Sequence, residues 1–315
     1  MNTSMVSTCI LPLRFRLAER TLYTHPLSLA VKSFDLCAAL AGPAEGCLHE
    51  TTLPPGSDGM LLRSLPVTSP PPLFERRGGR ITYVAQHYLR HYIDLTMGFA
   101  AYQAAFSAKT RSTLNRKVKS FAKATGGSLD WRTYRTPDEL DAFYSFAREV
   151  SVKTYQERDL GAGLPTGEAF LAEMRARAGR DAVRAFLLLA QGEPVAYLYC
   201  PVDNGVLRYE YLGYDPEWAE RSPGTVLQWL ALESLFAEGR FRLFDFTEGD
   251  GAHKRLFATG SAICADVYVL RDTLRLRALV YAHRACNSAG TRIAHLLERY
   301  GLKGKVKRLL RRGRG

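Results

Sequence analysis

The sequence predicts an α+β protein whose sheet begins as an antiparallel meander and continues into one parallel crossover. Three strand-like runs, residues 183–190, 195–200 and 206–213, are joined by the tight turns Gln191-Gly192-Glu193-Pro194 and Asp203-Asn204-Gly205. Turns that short can only join antiparallel neighbours. A strong helical segment at 222–238 follows, with Gly239 where a left-handed residue closes a helix. The apolar run 241–246 comes next, and a strand–helix–strand connection implies parallel pairing.

The remaining elements follow from local signals. Pro54-Pro55-Gly56 and Pro70-Pro71-Pro72 mark loops around a strand at 59–65. Residues 80–95 are rich in Tyr, Val, Ile and Thr, as strands are, while 98–107 are small and helical in character. Lys109, Arg111, Arg116, Lys117, Lys119 and Lys123 occur with no acid among them. Leu114, Val118, Phe121 and Ala122 share their helical spacing, so an amphipathic helix with a cationic face is expected, ending at Gly126-Gly127. After a short strand at 128–134, Pro137-Asp138-Glu139 opens a helix to about residue 155, with acids at the positive end of its dipole. A second helix is expected over 166–178, a short one over 252–258, and a last strand over 265–270.

The chain has 315 residues, 46% hydrophobic and 23% charged, which excludes a disordered or collagen-like protein. No apolar run approaches the roughly 20 residues that span a bilayer. The first residues lack a basic region before their apolar stretch and meet Pro12, so a secretory signal is not expected and a reduced cytoplasmic protein is. The six cysteines are scattered without a CxxC pair, suggesting neither zinc nor disulfides. His87 and His91 are four apart, as two ligands on one helix face would be, but no third ligand is evident and no metal is expected. Of the net charge of +12, residues 271–315 carry +11. Such a tail either solubilises the chain or meets phosphate-rich material, anionic lipid or nucleic acid.

Residues 214–226, YDPEWAERSPGTV, carry the first chemical signal. Ser222 suits an N-cap, Pro223 the first helical position, and Gly224 permits a ligand close to the backbone. Free N–H groups at a helix start bind phosphate, and Arg221 adds a charge-assisted contact. Taken alone, the same residues also make an ordinary helix start. Glu210 lies in the apolar setting of residues 207–211, where burial would raise its pKa towards that of a general base; the alternatives are pairing with Arg208 or facing solvent. Tyr209 or Tyr211 can supply a proton or simply fill the core. The run Thr247-Glu248-Gly249-Asp250-Gly251-Ala252-His253-Lys254 is either a substrate loop or a loop in which Asp250 caps the next helix. Asp245, between two phenylalanines, reads as a buried strand acid.

The meander, then Pro216-x4-Arg221-x2-Gly224-x-Val226 on a helix, then a parallel strand, resembles the GNAT acyltransferase superfamily. The segments LGYDPEWAERSPGTVLQWLALESLF and FDFTEGDGAHKRLFATG are similar to its CelD-like branch, often linked to exopolysaccharide or cellulose production and related to the FemAB-type aminoacyl transferases. SAKTRSTLNRKVKSF is similar to the basic linker helix between the halves of those proteins. The likeness covers about residues 109–270.

The resemblance implies a GNAT fold with a reduced N-terminal GNAT-like half, and acyl-CoA, in the simplest case acetyl-CoA, as co-substrate. Its pyrophosphate would be held by Arg221, Ser222, Gly224, Thr225 and Val226, with Val226 replacing the usual small residue. Glu210, Tyr211, Glu248, Asp250 and Lys254 would be the catalytic group, gathered where two parallel strands splay apart. The expected acceptor is an amine or hydroxyl of a sugar or glycoconjugate. The Fem-type alternative takes aminoacyl-tRNA, with the basic helix and tail holding the tRNA; a third reading is a non-catalytic scaffold of a polysaccharide synthase. The expected division is a companion half at 1–108, a linker helix at 109–127, a catalytic domain at 128–272 and a basic helical tail at 273–315. From Leu302 the tail aligns Val306, Leu309 and Leu310 between basic residues, which suits an anionic membrane face.

Overall fold

A computed structural model of the chain describes residues 8–17, 20–154, 157 and 163–299. In chain order its strands are β1 (Thr8–Leu17), β2 (Arg20–Ser33), β3 (Gly59–Pro66), β4 (Phe74–Arg77), β5 (Arg80–Asp94), β6 (Asp130–Tyr134), β7 (Val183–Ala190), β8 (Glu193–Asp203), β9 (Val206–Arg208), β10 (Tyr211–Tyr214), β11 (Leu243–Asp245) and β12 (Gly260–Arg271). The helices are α1 (Leu36–Ala41), α2 (Cys47–Glu50), α3 (Phe99–Ala105), α4 (Ala108–Ala124), α5 (Pro137–Ser151), α6 (Glu168–Gly179), α7 (Pro223–Glu238), α8 (Ala252–Phe257) and α9 (Leu274–Arg299), with 3-10 turns at Leu95–Met97 and Pro216–Arg221. They group into two compact units: Leu89–Ala262, and the segments that flank it.

In the flanking unit the strand order is β1-β2-β3-β12-β5, with β4 on β5. β2 runs parallel to β3; β1, β4 and β12 are antiparallel to their neighbours. The hairpin β1–β2 has no counterpart among the expected elements. Pro12 and Pro26 face each other in it, and proline weakens a strand signature because it cannot donate to the ladder. Leu276 and Val280 of α9 close this core over Leu13, Phe15 and Leu27. The basic segment from Leu302 lies outside the described residues.

The Leu89–Ala262 unit holds the meander. Its strand order is the end of β5, then β11-β9-β8-β7-β6, with β10 also on β8. The pairs β6–β7, β7–β8 and β8–β9 are antiparallel, and Leu243–Asp245 runs parallel to Val206–Arg208, as the crossover requires. Both meander turns place two successive residues at positive φ, Gln191 (55°) with Gly192 (88°) and Asn204 (52°) with Gly205 (76°). That is the turn twist that continues a right-handed strand pair. β7 and β8 are buried on both faces, which explains their nearly continuous apolar runs. Phe186, Leu188, Ala196, Leu198 and Cys200 face α7 and α4; Ala185, Leu187, Leu189, Tyr197 and Tyr199 face α5 and α6.

The helices follow from their ends and stripes. Thr136 and Glu139 form a reciprocal capping box around Pro137 at the start of α5, which stops at Ser151, four residues before the expected end. Ser107 caps α4, whose Leu114 and Phe121 are buried while the basic face turns outward. α7 is different: residues 226–232 are buried without a break, so it is a core helix. Gly239 ends α7 at φ 62°, with nothing within 4 Å of where a Cβ would stand. Gly239→Ala therefore pays only the left-handed backbone penalty, and urea unfolding should report a loss of about 1 kcal/mol.

Candidate active site

The expected strand 206–213 is broken in two, and the break creates the site. Val202 pairs with Leu207, but Tyr199 pairs with Tyr211, so residues 208–210 face only residues 200 and 201. This bulge turns β10 away from β11. Tyr209 N–H still donates to the Asp245 carbonyl (2.8 Å), whereas Glu210 N–H turns to the Tyr199 carbonyl (3.3 Å). The pairing with β11 ends there, and among the described residues the outer edge of β10 has no strand partner.

Asp245 anchors the parting strand. Its side chain is 1% exposed and takes a two-pronged contact from Arg90, Nη2 at 2.6 Å and Nε at 3.1 Å. It also accepts the Thr247 N–H at 2.8 Å. The expectation of a buried, hydrogen-bonded acid holds, but its partner Arg90 had no signal in the sequence beyond being a charge within a strand.

Glu210 and Tyr209 have different surroundings: Glu210 meets Arg208, and Tyr209 meets the rings of Phe244 and Phe246. Burial raises the Glu210 carboxyl above its ordinary value, opposed by the Arg208 guanidinium at 3.1 Å. The carboxyl remains 34% exposed, so it is reachable. Two of the sequence alternatives thus hold together: it is half-buried and it pairs with Arg208. Tyr211 lies beside it in an aromatic group, with ring centres 5.9 Å from Phe170 and 6.2 Å from Tyr199. Burial also raises the Tyr211 hydroxyl, so it keeps its proton at neutral pH. Tyr209 meets Phe246 at 5.5 Å and also His253 at 5.9 Å.

The loop after β11 uses its charges on itself. Lys254 Nζ donates to the carbonyls of Phe246 (2.7 Å) and Glu248 (2.6 Å), closing the loop, and burial lowers its pKa. Asp250 does not cap α8, whose cap is Gly251 without a side-chain bond. Its carboxylate instead meets His91 Nε2 (2.9 Å) and Arg255 (2.7 Å), which hold its pKa down. A carboxylate so held is a poor base, and both Asp250 and Lys254 direct their hydrogen bonds into holding the loop. Glu248 is exposed. His253, absent from the expected catalytic set, has a pKa lowered by burial and is a neutral imidazole at pH 7. His91 lies on β5 with an acid as partner, and among the described residues no group of three His, Cys, Asp or Glu is placed to hold a metal.

The start of α7 also departs from expectation. Ser222 is left-handed (φ 53°) and makes no side-chain cap, because the chain must turn there from the 3-10 segment into the α-helix. Its carbonyl takes the N–H groups of Thr225 (3.0 Å) and Val226 (3.1 Å). Val226 is fully buried in the core, so neither its side chain nor its N–H is offered to a ligand. Gly224 has a packing reason: a Cβ there would stand 3.2 Å from Tyr214 and 3.3 Å from Leu212. What the helix start offers is the Gly224 N–H, with no backbone acceptor among the described residues, and the exposed Arg221, with no ion pair among them. Lys153, missed in the sequence, adds a cation where it meets Asp215 (2.8 Å), the residue that caps the 3-10 turn.

Residues 108–255 match the family described as the acetyltransferase (GNAT) domain. No curated protein matches the chain. Among solved structures, FemX is 11% identical over 87% of this chain and 90% of that one, with a TM-score of 0.48. L-PGS from Bacillus licheniformis is 13% identical over 72% of each chain, with a TM-score of 0.42. The PaiA N-acetyltransferase from Thermoplasma acidophilum, solved in complex with coenzyme A, is 11% identical over 35% of this chain and 75% of that one, with a TM-score of 0.23. The meander, the parallel crossover and the match to the acetyltransferase (GNAT) domain all fall within the same stretch, residues 108–255.

Proposed function

We propose that this chain transfers an acyl group from acyl-CoA to an amine or hydroxyl of a sugar or glycoconjugate. The observation that carries the reading is the parting of β10 from β11 beside a partly buried carboxylate of raised pKa. The residues present fit the donor: the open edge of β10 suits an extended amide chain, and it leads to the Gly224 N–H and Arg221, which suit a diphosphate. The helix start supplies fewer N–H groups than the motif implies, so Arg221 carries more of the anion binding.

The thioester supplies the activated acyl carbon. Glu210 takes the proton from the attacking amine or hydroxyl, directly or through one water. Tyr211, protonated at neutral pH, is the donor for the departing sulfur. Arg208 holds the Glu210 carboxylate in place. The half-buried rings of Tyr211 and Phe170, backed by the buried Tyr199, offer an apolar platform beside the base, which suits one face of a sugar ring. A polysaccharide-linked role, as in the CelD-like branch, rests on that platform and on the sequence likeness.

A second reading is favoured by one observation. Lys109, Arg116, Lys119 and Lys123 of α4 are all exposed and fall along one side of the helix. They suit a polyanion such as aminoacyl-tRNA, whose binding would weaken steeply with salt. No helix of the described residues is long and apolar enough to cross a membrane, and contact with an anionic lipid face is a proposal for the basic tail.

Calorimetry with CoA should show binding to the purified chain, weakened roughly tenfold by Arg221→Ala, the loss of one charge-assisted bond. No binding of CoA, with salt-sensitive binding of aminoacyl-tRNA, would replace the first reading by the second. Glu210→Gln should slow transfer to an amino sugar by about 10²–10⁴-fold with CoA binding unchanged; full activity would remove Glu210 from the chemistry.

The same variant tests the electrostatics. Glu210 holds its proton more tightly folded than unfolded, so its contribution to stability is present at low pH and lost as pH rises above the ordinary glutamate value of 4.5. Urea unfolding from pH 4 to pH 7 should therefore show the parent losing stability relative to Glu210→Gln. Parallel profiles would mean the carboxyl is not perturbed.

A further inference from the structure

One polar side chain interrupts the buried surface of α7. Gln228 is 2% exposed, and its Nε2 has no hydrogen-bond partner among the described residues. Every other buried residue of this helix is Pro, Gly or a hydrophobic residue. An unpaired amide in such a place costs about 1–3 kcal/mol, and a leucine would fill the position without that cost. Gln228 is one helical turn beyond Gly224 and shares its face, since residues four apart stack. Helical side chains lean towards the N-terminus, so the Gln228 amide covers the first turn of α7, above Gly224. The Gly224 face looks onto Tyr214 and Leu212 of β10. The orphan amide therefore lies between the helix start and the strand whose outer edge is open.

We propose that Gln228 is a donor-binding residue whose side-chain amide hydrogen-bonds a secondary amide in the extended arm between the diphosphate and the thioester. This rests on the acyl-CoA reading above. A ligand amide answers either orientation of the glutamine head, because it presents both an N–H and a carbonyl. A purely apolar ligand would leave the amide orphaned, and a diphosphate belongs at Arg221 and the Gly224 N–H, not one turn inside the helix.

The test compares two ligands on the full-length protein. Adenosine 3′,5′-bisphosphate carries the nucleotide of CoA without its amide arm. Gln228→Leu and the straighter Gln228→Met should each weaken CoA binding about tenfold in calorimetry, while the bisphosphate binds parent and variants alike. Thermal unfolding of both variants should match or exceed the parent, since an unpaired buried amide is removed; two chains with such different side chains keep the test open if one fails to fold. CoA binding equal in parent and variants would overturn the inference, leaving an amide answered by buried water alone. Equal weakening of CoA and the bisphosphate would also overturn it, since Gln228 would then act through the helix start. A parent that binds neither ligand would instead bring down the acyl-CoA reading, and this inference with it.

Discussion

The buried ion pair between Arg90 and Asp245 fixes where the sheet opens beyond β9 and β11. A carboxylate with 1% exposure at the end of a three-residue strand persists only because a guanidinium meets both of its oxygens. Removing one partner of such a pair strands the other charge, at about 3–5 kcal/mol. The Asp245 carbonyl takes the last bond from β9, and its carboxylate takes the first N–H of the departing loop. β11 is thus held at the point where β9 and β10 break step, so the opening is built into the sheet.

Around that point the protein spends most of its charges on structure. Lys254 and Asp250 tie down the loop after β11, the one through two carbonyls and the other through His91 and Arg255. What stays available is Glu210, half-buried and raised, with Tyr211 beside it and the neutral His253 against Tyr209. A carboxyl of raised pKa beside a phenol that keeps its proton is suited to taking up a single proton. The helix start of α7 shows the same economy. Its N–H groups are mostly bent back to Ser222, and its glycine serves close packing against β10.

Much of the architecture was legible because its signals are local. The meander rests on two turns that need positive φ, and Gln-Gly and Asn-Gly supply it. The C-terminal end of α7 needs a left-handed residue, and Gly239 is there. The α4 stripe and the α5 capping box are set by residues three and four apart. The hairpin β1–β2 was not legible, because its strands draw stability from α9, more than 240 residues away, while carrying prolines that argue against strands.

The site divides in the same way. The sequence by itself determined the meander, the parallel crossover and the place of the helix start, since each depends on neighbours along the chain. Only the tertiary structure decided which charged groups are free. Arg90 and His91 come from β5, more than 150 residues before the acids they hold, and no spacing rule joins them. The split of 206–213 was also invisible, because a bulge is a mismatch between two strands and neither sequence contains it alone. Ser222 and Val226 fit a binding motif by identity, but the 3-10 segment before them and the core beneath them decide which way they face.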